Sequence, residues 1–272
     1  MNQLTNQRRS TGFTLIELLL SMTFVSVLLL TIALTVVQMA NTYNKGMTLK
    51  EVNQSARDIS DDMRRAFAFS PVFAVPSTED VGTTFAADTN DYIRLSTGTG
   101  ASKAITGGRL CTGTVSYIWN IGAALHDDPD DKTPRVTSAL AYVLGSTGTP
   151  LEPIQFVKVP DIDKKYCAKT TTGALLNKNI TYDDTRVMTN LLNAGDHRLA
   201  LQSFSVVSRA TDALTGQQLY VVTYTIGSGS PLAMDLKARP MKCLDPTAPT
   251  ANLTYCNVQQ FTIVLRAGST VN

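Results

Sequence analysis

The chain has 272 residues, with 24 Lys and Arg against 22 Asp and Glu and a formal charge of +2. So balanced a protein carries no broad electrostatic footprint for nucleic acid or an acidic surface. Two His and four Cys, with no Cys-x-x-Cys pair, leave little from which to build a zinc site of usual composition, and no cofactor is expected.

From Phe13 to Val37 run 25 residues with one ionisable group, Glu17, and no Gly or Pro. At 1.5 Å rise per residue such a helix is roughly 37 Å long, enough to cross a hydrocarbon core of about 30 Å. Arg8 and Arg9 sit just before it, which predicts a cytoplasmic N-terminus and places residue 39 onward outside. A carboxylate so early in an apolar helix is costly to bury and needs a partner or a reason. By the residues alone two readings stand. In one, Glu17 stays at the cytoplasmic interface, snorkelling or protonated. In the other, the chain is cut between Gly12 and Phe13, and the new α-amine of one subunit pairs with Glu17 of its neighbour to fix the register of docked helices.

Gly12-Phe13-Thr14-Leu15-Ile16-Glu17, behind a short basic leader and ahead of the apolar run, resembles the processing motif of the type IV pilin and pseudopilin superfamily. The resemblance is close over about residues 8–40 and architectural beyond them. It implies cleavage after Gly12 by a prepilin peptidase, N-methylation of Phe13 and an assembly role for Glu17. Loss of residues 1–12 would remove Arg8 and Arg9 and leave 22 basic against 22 acidic side chains. A secretory signal peptide fits less well, because the apolar run is too long and no small-residue cleavage site follows it. The expected organisation is a leader (1–12), a transmembrane and filament-core helix (13–38), an amphipathic continuation of that helix (39–70) and an extracytoplasmic antiparallel-sheet domain (71–272).

Beyond the apolar run, Leu49, Val52, Ala56, Ile59, Met63 and Ala66 recur at helical spacing and form one face. Charged residues fill the others, and Ser70-Pro71 predicts the end, since the residue before Pro avoids the helical region. Asn41 to Gly46 is polar and holds the Gly of this helix, so a bend or local melting is expected there. Tyr92 to Ser96 reads as a short strand in a polar tract, and Ser96 to Gly108 as exposed loop. Leu110 to Ile121 is a second strand region; Ala139 to Leu144 and Ile154 to Val159 are further candidates; Asp183 to Leu192 reads as a short helix. Leu199 to Arg209, Gln218 to Ile226 and Val258 to Arg266 are strands rich in β-branched and aromatic residues, with a hairpin turn at Asp212 to Gly216. The fold class is α+β: a long helix packed on an antiparallel sheet with long loops.

Cys243 and Cys256 enclose twelve residues just before the last strand. A bridge there would staple the entering loop, worth on the order of 3 kcal/mol in a chain-entropy model. The resemblance implies such a bridge, because many pilins close a C-terminal loop this way; Cys111 and Cys167 would then pair by elimination, and crossed pairings stay open. Asp127, Asp128, Asp130 and Asp131 flank Pro129 in the densest charge run. Calcium would want such oxygens, but the run lacks the alternation and Gly of an EF-hand loop, so a solvated acidic loop is the expectation. Lys237, Arg239 and Lys242, with Arg266, form at most a weak phosphate-binding patch, and contact with nucleic acid is not expected. Two isolated His residues and no Gly-x-Ser-x-Gly give no nucleophile with a base, so no enzyme is expected.

The large domain is similar to the larger minor pilins and J-type pseudopilins. The resemblance implies a structural subunit, held in the lipid of the cytoplasmic membrane with its domain outside until an inner-membrane assembly platform and ATPase extract it. It then joins other pilins in a surface filament, helping to initiate or cap assembly. The alternatives are a pseudopilin of a type II secretion system, or an adhesin or DNA-contacting module presenting loops 71–108, 122–137 and 227–257. One departure is visible: the common family pattern has a helix-breaking Pro about twenty residues after the cleavage site, where this chain has Leu34 and Thr35.

Overall fold

A computed structural model describes residues 14–78, 89–97, 104–121, 154–168, 188–192, 199–229, 234–235, 242–245, 247 and 256–268. The chain divides into two compact units, Met1–Asn44 and Lys45–Asn272, and one helix, α1 (Leu15–Ala68), supplies residues to both.

In the first unit every residue from Thr14 to Tyr43 is exposed. This stretch belongs to the one helix among the described residues that is long and apolar enough to cross a membrane. Its five hydroxyl side chains between Leu15 and Ala40 all bond back to the helix. Ser21 Oγ donates to the Leu18 carbonyl at 2.9 Å, and Thr23 and Thr31 donate to Leu20 and Leu28 at 2.8 Å. Ser26 reaches Met22, and Thr35 reaches Thr31 and Ile32, at the same distance. The helix runs through Asn41 to Gly46 without interruption. Local melting, one of the two expectations there, is therefore absent.

In the second unit α1 buries Thr48, Val52, Ser55, Ala56, Ile59, Met63 and Phe67. The expected stripe is thus shifted: Leu49 is exposed and Ala66 only packs at the margin, while Thr48, Ser55 and Phe67 join the core. The helix ends at Ala68, two residues before Ser70-Pro71. Ser70 is fully buried and closes the end: its N–H bonds the Phe67 carbonyl, its Oγ the Ala66 carbonyl at 2.7 Å, and its carbonyl accepts Gly268 N–H at 2.9 Å.

Ten strands follow among the described residues: β1 (Tyr92–Thr97), β2 (Ala104–Cys111), β3 (Val115–Ile121), β4 (Ile154–Pro160), β5 (Thr189–Asn190), β6 (Leu199–Thr211), β7 (Gln218–Ser228), β8 (Met234–Asp235), β9 (Lys242–Cys243) and β10 (Val258–Ala267). They form a five-stranded antiparallel meander β1-β2-β3-β4-β5, a three-stranded sheet β10-β7-β6 and the small pair β8-β9. With the helix this is the expected α+β, pilin-like layout.

Three expectations are corrected. Ser96 to Gly108 is not all loop, because β2 starts at Ala104 and runs through Gly107 and Gly108. Those glycines look like loop residues, but a Cβ on Gly108 would collide with the Ile93 carbonyl and the Trp119 indole that lies over it. Leu110 to Ile121 is correspondingly two strands, turning at Gly113 with φ +92°. Of Asp183 to Leu192, the described part is strand and turn rather than helix, since Thr189 and Asn190 pair with Lys158 and Val157. Ala139 to Leu144 lies outside the described residues.

The main core joins the second half of α1 to both larger sheets. Trp119 packs on Phe204 at 4.7 Å between ring centroids, Phe204 on Phe156 at 5.1 Å, and Phe73 stacks on Tyr220 at 4.2 Å. Four buried tyrosines place their hydroxyls on partners: Tyr224 on the Ala56 carbonyl, Tyr92 on Phe204, Tyr220 on Phe73 and Tyr117 on the Asp62 carboxylate. Burial alone would penalise those hydroxyls, so each bond removes a desolvation cost.

Candidate assembly site at the start of the long helix

Gly12 and Phe13 lie outside the described residues; Glu17 is the part of the motif whose surroundings are defined. Thr14 precedes α1, and its backbone N–H and its hydroxyl both donate to Glu17 Oε2, at 2.9 and 2.8 Å. Glu17 N–H points back to Thr14 Oγ1 at 3.4 Å, and Leu18 N–H closes the first turn on the Thr14 carbonyl at 3.2 Å. This is a reciprocal N-terminal cap: a Thr and, three residues later, a Glu each satisfy an amide that the helix start leaves open. The signal was in the sequence as Thr-x-x-Glu ahead of an apolar run, but Glu17 was weighed only as an interfacial carboxylate or as the partner of an α-amine, not as a capping residue.

The cap fixes one carboxylate oxygen and leaves Oε1 without a hydrogen bond among the described residues. Around it Ile16, Leu19, Leu20 and Thr23 form one shallow apolar groove. Ser21, Phe24 and Val27 extend a second that shares Glu17. The helix dipole favours a negative group in this first turn. Chemically, the arrangement is an oriented acceptor set in an apolar surface, suited to one hydrogen-bonding cation.

The other candidates lie in the sheet domain. Cys111 is bonded to Cys167 with Cα atoms 6.2 Å apart, and Cys243 to Cys256 with Cα atoms 5.8 Å apart. The first bridge ties the segment after β4 across the outer face of the meander. Arg109, fully buried beneath that segment, donates from Nη1 to the Tyr166 carbonyl at 2.7 Å, and burial holds its pKa down to about 10. Asp161 accepts from Ser116 Oγ at 2.6 Å and from Lys165 N–H at 2.8 Å, and Lys164 pairs with Asp91 at 3.0 Å. These bonds make a structural clamp.

Asp127, Asp128, Asp130 and Asp131 lie outside the described residues, as do Lys237 and Arg239. Lys242 and Arg266 are exposed, on β9 and β10. Among the described residues no three His, Cys, Asp or Glu side chains come together as a metal site. Compared with known proteins, the chain matches no family model, no curated protein and no solved structure.

Proposed function

We propose that the chain is a minor prepilin: a structural subunit cleaved after Gly12, N-methylated on Phe13 and incorporated into a type IV pilus, where it helps to initiate or cap assembly. The observation that carries this reading is the organisation of α1. Its first half is apolar and exposed, its second half is the spine of an antiparallel-sheet domain, and the processing motif sits where the first half begins. A helix of that kind is stored in lipid and later packs on other helices, exchanging one apolar environment for another.

On this reading Glu17 receives the Phe13 amine of a neighbouring subunit. The Thr14 cap keeps the carboxylate facing outward at the helix start until the amine arrives. Pairing two charges in an apolar assembly favours the docked register, because a slipped register leaves each charge uncompensated. The platform and the prepilin peptidase are the partners this requires.

The test is intact-mass spectrometry of the native protein, with a Glu17→Ala variant scored for incorporation into sheared filaments. A mass lacking residues 1–12 and carrying one methyl, with a variant that stays in the membrane, supports the proposal. An uncut chain beginning at Met1 would overturn it.

A further inference from the structure

We propose that segment 161–167 is a redox latch: the Cys111–Cys167 bridge holds it shut on the meander, and a dithiol reductant releases it while the rest of the domain stays folded. Two features of the closed form oppose closure. Arg109 is fully buried with its Nη1 on the Tyr166 carbonyl at 2.7 Å, so closing strips water from a guanidinium. Lys164 sits at φ +51°, in the left-handed region that costs any residue but Gly. The Arg109 guanidinium and Lys165 Nζ lie 5.7 and 4.9 Å from the centre of the one Tyr166 ring. Two cations at one ring repel each other, which offsets part of what the ring gives to each.

What holds the segment is local and separable. It is turn and short 3-10 helix rather than strand. Asp161 N–H reaches the Thr114 carbonyl at 3.2 Å, its carboxylate meets Ser116 at 2.6 Å, and Lys164 pairs with Asp91 at 3.0 Å. Its buried side chains Tyr166 and Cys167 belong to the small cluster with Ile93, Ile118, Val157 and Val159, not to the main core that joins α1 to both larger sheets. The segment therefore leaves without opening that core. The bridge spans 56 residues of sequence, and a covalent link of that span takes much of the freedom from the open state. The exchange balances. Cys167 is 5% exposed and Cys111 not at all, so the thiolate of the reductant attacks Cys167 Sγ. The S–S bond breaks, and Cys111 leaves as a thiolate that takes up a proton. The second thiol of the reductant then displaces Cys167 from the mixed disulfide. The dithiol ends as a disulfide and the protein with two thiols. The outer face of the meander is thereby covered in an oxidising compartment and open in a reducing one. The inference does not rest on the filament reading, because it needs only this domain.

The experiment is hydrogen exchange, read by mass spectrometry, on the full chain in detergent with and without dithiothreitol. Parallel samples are alkylated, so that peptide masses show which cysteines are free. The expected result is free Cys111 and Cys167, exchange about tenfold faster or more within 161–167, and unchanged exchange within 218–228. Cys111→Ala/Cys167→Ala, which keeps the other bridge, should show the same pattern without reductant. A bridge that resists dithiothreitol, or that yields only as 218–228 loses protection, overturns the proposal. So does a segment 161–167 that stays protected once both thiols are free, or in the double variant. The reductant arm uses the parent chain, so it decides even where the double variant does not fold.

Discussion

Asp62 serves two partners with one carboxylate: Oδ2 accepts the Tyr117 hydroxyl at 2.9 Å, and Oδ1 meets Lys158 Nζ at 2.6 Å. The helix is thereby tied to β3 and β4 by charge as well as by packing. Asp62→Ala leaves a fully buried phenol and a half-covered ammonium without it, and should cost about 2 kcal/mol in denaturant unfolding. Tyr117→Phe removes only the neutral donor and should cost about 1 kcal/mol. Equal losses would show that the hydroxyl and not the ion pair carries the contact. Tyr224 gives a pH dependence. Burial raises its pKa from 10.0 to about 12, so the folded state holds a proton that the unfolded state has already released. Its contribution is complete below pH 10 and is lost as pH climbs towards about 12. Alkaline unfolding should therefore steepen above pH 10, and Tyr224→Phe should flatten it.

Among the elements, Gly46 and Gly108 are opposite cases. Gly46 is exposed within α1, with nothing within 4 Å of where a Cβ would stand. Gly46→Ala should raise the stability of the domain by about 0.5–1 kcal/mol through helix propensity. If the chain must yield at Asn41 to Gly46 during assembly, the same variant should enter sheared filaments less well. Gly108→Ala forces Trp119 off its seat and should lower stability by about 2 kcal/mol, seen as a lower midpoint and altered Trp fluorescence. These positions also show what a linear reading reaches. Reading by alternation at β1 and by β-branched and aromatic content at β6, β7 and β10 found these strands, although β1, β4 and β6 bury consecutive residues on both faces. It missed the start of β2, where glycines are needed for a contact made by Trp119, eleven residues away in sequence and directly across the ladder. It misread 188–192, where two residues of strand carry no period. The cysteine partners were open in sequence because spacing does not fix pairing. The Thr14–Glu17 cap was written in four consecutive residues, yet it was hidden by the more specific motif that overlaps it.

Across the whole molecule, the described core of the second unit is built from that unit's own residues, beginning at Thr48 and closing on both larger sheets. A chain starting at Lys45 should thus remain in solution without detergent and unfold in the same transition as the full chain in calorimetry. A lowered or broadened transition would mean that the first half of α1 supports the domain. The first half has its own logic. Because Ser21, Thr23, Ser26, Thr31 and Thr35 spend their hydrogens on carbonyls of their own helix, the segment beyond Glu17 offers its surroundings methyls and methylenes and asks for nothing specific in return. Its partition between acyl chains and a sheath of protein is then close to that of a hydrocarbon moved between two oils. The free energy of such a transfer is small in either direction, so under the proposed function the machinery that extracts the chain needs to supply distance more than force.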